Sequence, residues 1–73
     1  DGMTRLLIDV GRNHRVGPAD IVGAIANEAG VPGKSIGAID IHDRFTLVDV
    51  PSEYAQQVID AMRGTRIRSQ KAS

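Results

Sequence analysis

Apolar and polar residues alternate from Thr4 to Val10, with Leu6, Ile8 and Val10 on one side and Arg5, Leu7 and Asp9 on the other. A period of two marks a strand with one buried face, so a first strand is predicted over residues 4–10. The period then lapses. Gly11, Asn13, Gly17 and Pro18 are turn formers, and Arg12, Asn13, His14 and Arg15 make the segment a polar, cationic loop. From Pro18 the spacing becomes helical: Ile21, Val22, Ile25 and Ala29 share one stripe, while Asp20, Asn27 and Glu28 fall outside it. Pro18 suits the first helical position, Asp20 complements the positive end of the dipole and Gly30 suits a left-handed C-cap, which together predict a helix over residues 18–29. Gly23 interrupts the stripe at a cost of about 1 kcal/mol relative to alanine. The expectation is that a neighbouring backbone comes close to it.

Pro32, Gly33 and Gly37 then mark a connection across the end of a sheet. Alternation resumes over residues 38–42, with Ile39 and Ile41 opposed to Asp40 and His42. His42-Asp43-Arg44 turns the chain into a third strand over residues 45–50. There Phe45, Leu47 and Asp49 share one face and Thr46, Val48 and Val50 the other, so the two strands are expected to form a hairpin. Pro51 and Ser52 end it. Ser52 is the expected N-cap of a second helix, in which Ala55, Val58, Ile59 and Met62 recur at helical spacing up to a stop at Gly64. Beyond that glycine only Ile67 and Ala72 are apolar, enough for a short arm and the start of a last strand. The order β-α-β-β-α-(β) is the split βαβ, ferredoxin-like arrangement of the α+β class. Both helices cover one face of a four-stranded antiparallel sheet, whose last strand is expected to be cut short, and the other face stays open.

With 73 residues the chain makes one small domain, 1–73, near the lower size limit for a core without disulfides or metal. It has no cysteine, which excludes a disulfide framework and a thiolate metal site and accords with a cytoplasmic setting. No apolar run reaches membrane length, so no membrane partner is expected; Asp1-Gly2 ahead of Met3 is set aside from the fold reasoning. The formal net charge of zero hides an uneven distribution. Residues 1–62 carry five Lys or Arg against nine acids, whereas residues 63–73 carry four basic residues and no acid. A basic tail is an electrostatic footprint for an anionic partner, with a plain solvated terminus as the alternative.

Motifs for other chemistries fail on context. Gly33-Lys34-Ser35 resembles the end of a phosphate-binding P-loop, but Glu28 stands where that motif needs its first glycine, and a helix precedes it. Gly30-Val31-Pro32-Gly33 fits the GxxG of a KH domain as text, yet that loop joins two helices, and here strand-like alternation follows. His14 and His42 are too few for a metal cluster, and Asp40, Asp43 and Asp49 read as solvated strand and turn carboxylates. No metal site, cofactor or catalytic residue is expected, since no nucleophile with an oriented base and no paired acids in a cleft assemble here. The inner strands say more. An RNA-recognition fold presents stacking groups from its first and third strands; aligned in this way, Phe45 takes one stacking position, Leu47 the other, and Leu7 the matching place on the first strand. One ring worth roughly 1–3 kcal/mol per base does not replace a full set, so binding is expected to lean on Arg and Lys.

Three stretches then carry a resemblance: Leu-Ile-Asp-Val-Gly-Arg from Leu7, Gly-Pro-Ala-Asp-Ile-Val-Gly-Ala-Ile-Ala-Asn-Glu from Gly17, and Ser-Ile-Gly-Ala-Ile-Asp-Ile-His-Asp-Arg-Phe-Thr-Leu-Val-Asp-Val-Pro from Ser35. Over residues 4–73 the chain resembles the C-terminal RNA-binding domain of bacterial DEAD-box RNA helicases, of the DbpA/CsdA-like type. The resemblance implies an RNA-recognition-motif-like (RRM-like) fold that tethers an ATP-dependent helicase core to structured or hairpin RNA, in ribosome assembly, cold adaptation or RNA turnover. ATP and magnesium belong to that absent core, and protein contacts to the parent helicase. The family continues through a Gly-x-x-Ile-x-Gly-x-Lys stretch into a full fourth strand; here Gly64 to Lys71 matches it with Ser69 at the second glycine.

The expected function is therefore a non-catalytic RNA-binding module. Arg5, Arg12, Arg15, Arg66, Arg68 and Lys71 are its candidate phosphate or base contacts, Asn13 and His14 add polar ones, and Phe45 offers one stack. The alternative is a protein-interaction or dimerisation module with Leu7, Phe45 and Leu47 as its apolar patch. Small-ligand binding has no supporting constellation.

Overall fold

The computed structural model describes residues 2–63, 65, 67 and 69–72. Strand β1 (Met3–Ile8) leads through a loop into helix α1 (Pro18–Ala29); β2 (Ile39–Ile41) and β3 (Thr46–Pro51) form the hairpin, and helix α2 (Ser52–Met62) and strand β4 (Ser69–Lys71) follow. The sheet is antiparallel throughout, in the order β2-β3-β1-β4. This is the expected ferredoxin-like α+β arrangement.

The alternating pattern decides which face is buried. Leu6 and Ile8 of β1 and Val48 and Val50 of β3 are completely shielded from solvent, and they meet Ile21 and Ile25 of α1 and Val58 and Met62 of α2. In the register Leu6 stands opposite Val48 and Leu7 opposite Leu47, so each neighbouring pair alternates between the helix layer and the open face. Among the described residues Thr46 is the polar residue buried in the core, and it donates from Oγ1 to the Val10 carbonyl at 2.8 Å, which meets the need of a buried hydroxyl for a partner. Gln57 joins the helices by donating to the Ala29 carbonyl at 2.6 Å, one of the orphan acceptors at the end of α1.

Helix α1 has the expected bounds. Pro18 opens it, the Asp20 carboxylate accepts from the Gly17 N–H at 2.8 Å, and Gly30 closes it at φ 72°. The strand limits differ by a residue or two. β2 begins at Ile39 rather than Ala38, because the Gly37 N–H donates to the Asp49 carbonyl while the Asp49 N–H donates to Ala38 (2.8 and 3.0 Å), two residues facing one across a bulge. Ser52 is the first residue of α2, not its cap. β3 pairs as far as Pro51, opposite Met3, and the Ser52 hydroxyl is drawn to that of Thr4 at 2.7 Å. The fourth strand forms, but with only three residues, Leu6 to Ile8 facing Lys71 to Ser69.

The expectation for Gly23 is overturned. A methyl group built there meets nothing within 4 Å, so close packing is not what the glycine serves. Gly23→Ala is accordingly expected to stabilise the domain by about 0.5–1 kcal/mol through helix propensity and a less flexible unfolded chain. A urea midpoint below that of the parent would contradict this reading.

Candidate nucleic-acid interface

The loop after β1 is fastened to the β2–β3 hairpin through Arg12 and Asn13. The Arg12 N–H donates to the His42 carbonyl at 2.8 Å and the Asn13 N–H to that of Asp43 at 2.9 Å. The Arg12 side chain adds Nη2 to the Ile41 carbonyl at 2.8 Å and Nη1 to Asp43 Oδ1 at 3.3 Å. Within the loop, residues Arg12–His14 form a single 3₁₀ turn, and His14 Nδ1 accepts from the Gly11 N–H at 3.1 Å. Since Nδ1 is an acceptor there, the neutral ring carries its proton on Nε2. Gly11 makes the approach possible: a Cβ at that position would collide with the His42 carbonyl oxygen and lie 2.7 Å from the Asp43 carbonyl carbon. Its φ of −148° is ordinary extended backbone, so the requirement is for space.

This junction presents Arg12, Asn13, His14 and Arg15 together at one end of the sheet, all exposed. Arg15 ends the 3₁₀ turn in the left-handed region at φ 59°, ψ 36°. Two of the five N–H donors of Arg12 are committed to the hairpin, leaving the others for a ligand. Among the described residues, neither Arg15 nor the exposed Arg44 of the hairpin turn has an ion-pair partner. Arg44 is not among the residues the sequence points to, because Asp43-Arg44 reads only as a turn. A signal lies in the topology, since the turn of the β2–β3 hairpin and the arginine-bearing loop after β1 fall at the same end of the sheet.

The other candidates are more scattered. Arg5 lies on the open face with its Nε 2.9 Å from Asp49 Oδ1, and hydrogen bonding to and the charge of that carboxylate raise its pKa above the ordinary arginine value. Its charge is thus locally balanced. Lys71 is exposed but stands opposite Leu6, which places it on the helix side of the edge strand rather than on the open face. Arg66 and Arg68 lie outside the described residues. Phe45 is half-buried on the open face, stacked against His42 with ring centroids 4.5 Å apart.

The open face itself is not cationic. Asp49 and Asp40 flank Leu47 there, and Asp9 continues the outward alternation of β1 beyond Leu7, leaving Arg5 as the arginine among three carboxylates. Phosphates are therefore disfavoured over the middle of the sheet and favoured at the loop–hairpin end, where Arg12, Arg15 and Arg44 outnumber Asp43. Among the described residues no group of three or more His, Asp or Glu side chains could hold a metal ion, and no helix is long and apolar enough to cross a membrane.

A protein-family model described as the DbpA RNA binding domain matches residues 5–73. The chain belongs to this family. Its relatives include the ATP-dependent RNA helicase DeaD of Mycobacterium tuberculosis H37Rv, 38% identical over 65 residues that make up 89% of this chain and 12% of the relative. The ATP-dependent RNA helicase DbpA of Escherichia coli K12 is 30% identical over 66 residues, 90% of this chain and 14% of the helicase. DeaD of Haemophilus influenzae is 37% identical over 60 residues, 82% and 10% of the two chains. The chain thus spans roughly a seventh or less of the length of these helicases. RNA is the partner by which the DbpA domain family is described, in agreement with the expectation of an RNA-binding module.

Proposed function

We propose that this domain anchors an ATP-dependent RNA helicase of the DEAD-box type to structured RNA, gripping a hairpin or its loop at the junction of residues 11–15 with the β2–β3 turn. The observation that carries the reading is the contrast in charge between the two surfaces: a hydrogen-bonded end bearing Arg12, Arg15 and Arg44, and an open face bearing Asp9, Asp40 and Asp49. Arginines presented by a hydrogen-bonded junction lose little backbone freedom on binding, so they can discriminate one RNA shape from another. Arg66, Arg68 and Lys71 supplement them with charge from the chain's basic end. ATP hydrolysis, with magnesium, is the work of the helicase core, in the cytoplasm, on RNA of ribosome assembly, cold adaptation or turnover.

Titration of a labelled RNA hairpin and a scrambled single strand at low and moderate salt tests the reading. Contact with about four phosphates implies a log–log salt slope near −3, taking roughly 0.7 per phosphate of a single strand. A flat response, or a tight dimer by sedimentation that ignores RNA, would favour a protein-interaction module using Leu7, Phe45 and Leu47.

A further inference from the structure

Two rings share the hairpin end of the open face. The His42 N–H donates to the Phe45 carbonyl at 2.8 Å, which makes Asp43-Arg44 a two-residue loop and sets the flanking side chains directly across from each other. Imidazole and phenyl lie 4.5 Å apart with their planes 16° from parallel. His42 Nε2 is 2.9 Å from Asp40 Oδ2, a contact that fixes the rotation of the imidazole, and 43% of the His42 side chain is still exposed. The rings are thus held by contacts within the chain itself, and a flat group laid on the pair extends an existing stack.

The charges around them select the ligand. Asp40 and Asp9 oppose an anion on this part of the face, whereas a nucleobase is neutral and planar and tolerates neighbouring carboxylates. Arg44 sits in the turn between the two rings, exposed and without an ion-pair partner among the described residues. Leu7 and Leu47 occupy the adjoining positions, so no further ring continues the platform along the sheet.

We infer that His42 and Phe45 form a single nucleobase-stacking site, with Arg44 taking a phosphate of the same nucleotide. The site rests on the RNA-binding reading and deepens it: the sheet face accepts one unpaired base, and the arginine-bearing end holds the backbone. His42 stacks on the base directly, while Asp40 is a positioning residue that holds the imidazole.

The test is a titration of single-stranded RNA carrying 2-aminopurine with the full chain, read both as affinity and as quenching of the base on stacking. Phe45→Leu and His42→Ala are expected to weaken binding at least about fivefold, the factor for losing part of a stacked-base contact, and to abolish the quenching. His42→Phe keeps a ring while losing the contact to Asp40, and should retain the quenching and bind within about twofold of the parent. This variant separates stacking from any general loosening of the hairpin. Unchanged affinity and quenching in Phe45→Leu and His42→Ala overturn the site while leaving RNA binding intact. A change in self-association rather than RNA affinity in those variants overturns it in favour of a protein contact. A parent chain that binds no RNA at low salt overturns the site and the RNA-binding reading together.

Discussion

Gly11→Ala is expected to destabilise the domain by about 3 kcal/mol or more, at the upper end of what overpacking costs, and to leave much of it unfolded at room temperature. The added Cβ would run into the His42 carbonyl oxygen and the Asp43 carbonyl carbon, both backbone atoms of a hairpin that is itself paired to the centre of the sheet. A side chain could swing away; a backbone cannot move without breaking the bonds from the Arg12 and Asn13 N–H groups that lock the loop onto it. A domain of this size rarely has more than about 3–5 kcal/mol from its core to absorb such a loss. Urea denaturation of Gly11→Ala beside Gly23→Ala gives an internal control, because the same methyl is added at both positions with opposite expected signs. A Gly11→Ala midpoint equal to that of the parent would mean that the loop is not held against the hairpin.

The contrast between these glycines shows where the sequence is legible and where it is not. Helix α1 can be read to the residue because its signals are local: Pro18 at the start, Asp20 in the first turn and Gly30 in the left-handed region at the end. The division of β3 into a buried face with Thr46, Val48 and Val50 and an outer face with Phe45, Leu47 and Asp49 follows equally from its period of two. The reason for a glycine is different, because it lies in whatever atoms the fold brings alongside. Gly23 has open space where a close neighbour was expected, and Gly11, read simply as a turn former, has the close neighbour. Charge pairing is hidden for the same reason. Arg5 counts as a free cation in the sequence, but antiparallel pairing places it opposite Asp49; Arg44 reads as a turn residue, but the junction brings it to the cationic end. His42 reads in the sequence only as a strand-end and turn residue and as a rejected metal ligand, because its stack with Phe45 depends on a hairpin loop of two residues.

Removing Arg15 and Arg44, which have no ion-pair partner among the described residues, is expected to weaken RNA binding strongly. At about 0.1 M salt, release of roughly 0.7 counterion per phosphate amounts to about fivefold in affinity per contact. Arg15→Ala combined with Arg44→Ala should therefore weaken binding about 25-fold and flatten the log–log salt slope by about 1.4. Neither side chain has a hydrogen bond or ion pair to another described residue that its loss would break, so the urea midpoint should remain close to that of the parent. Arg12→Ala is the instructive comparison. It removes the bonds to the Ile41 carbonyl and to Asp43, loosens the junction that orients Arg15 and Arg44, and should cost selectivity for the hairpin over the scrambled strand along with affinity. Neutralising Arg66, Arg68 and Lys71 should instead weaken both RNAs by similar factors, as loss of phosphate contacts does whatever the sequence. Binding of the four proteins to both RNAs at two salt concentrations separates these roles. If affinity and salt slope survive the Arg15 and Arg44 substitutions but vanish with the basic end neutralised, the loop–hairpin junction is not the RNA-gripping surface and the C-terminal cations are.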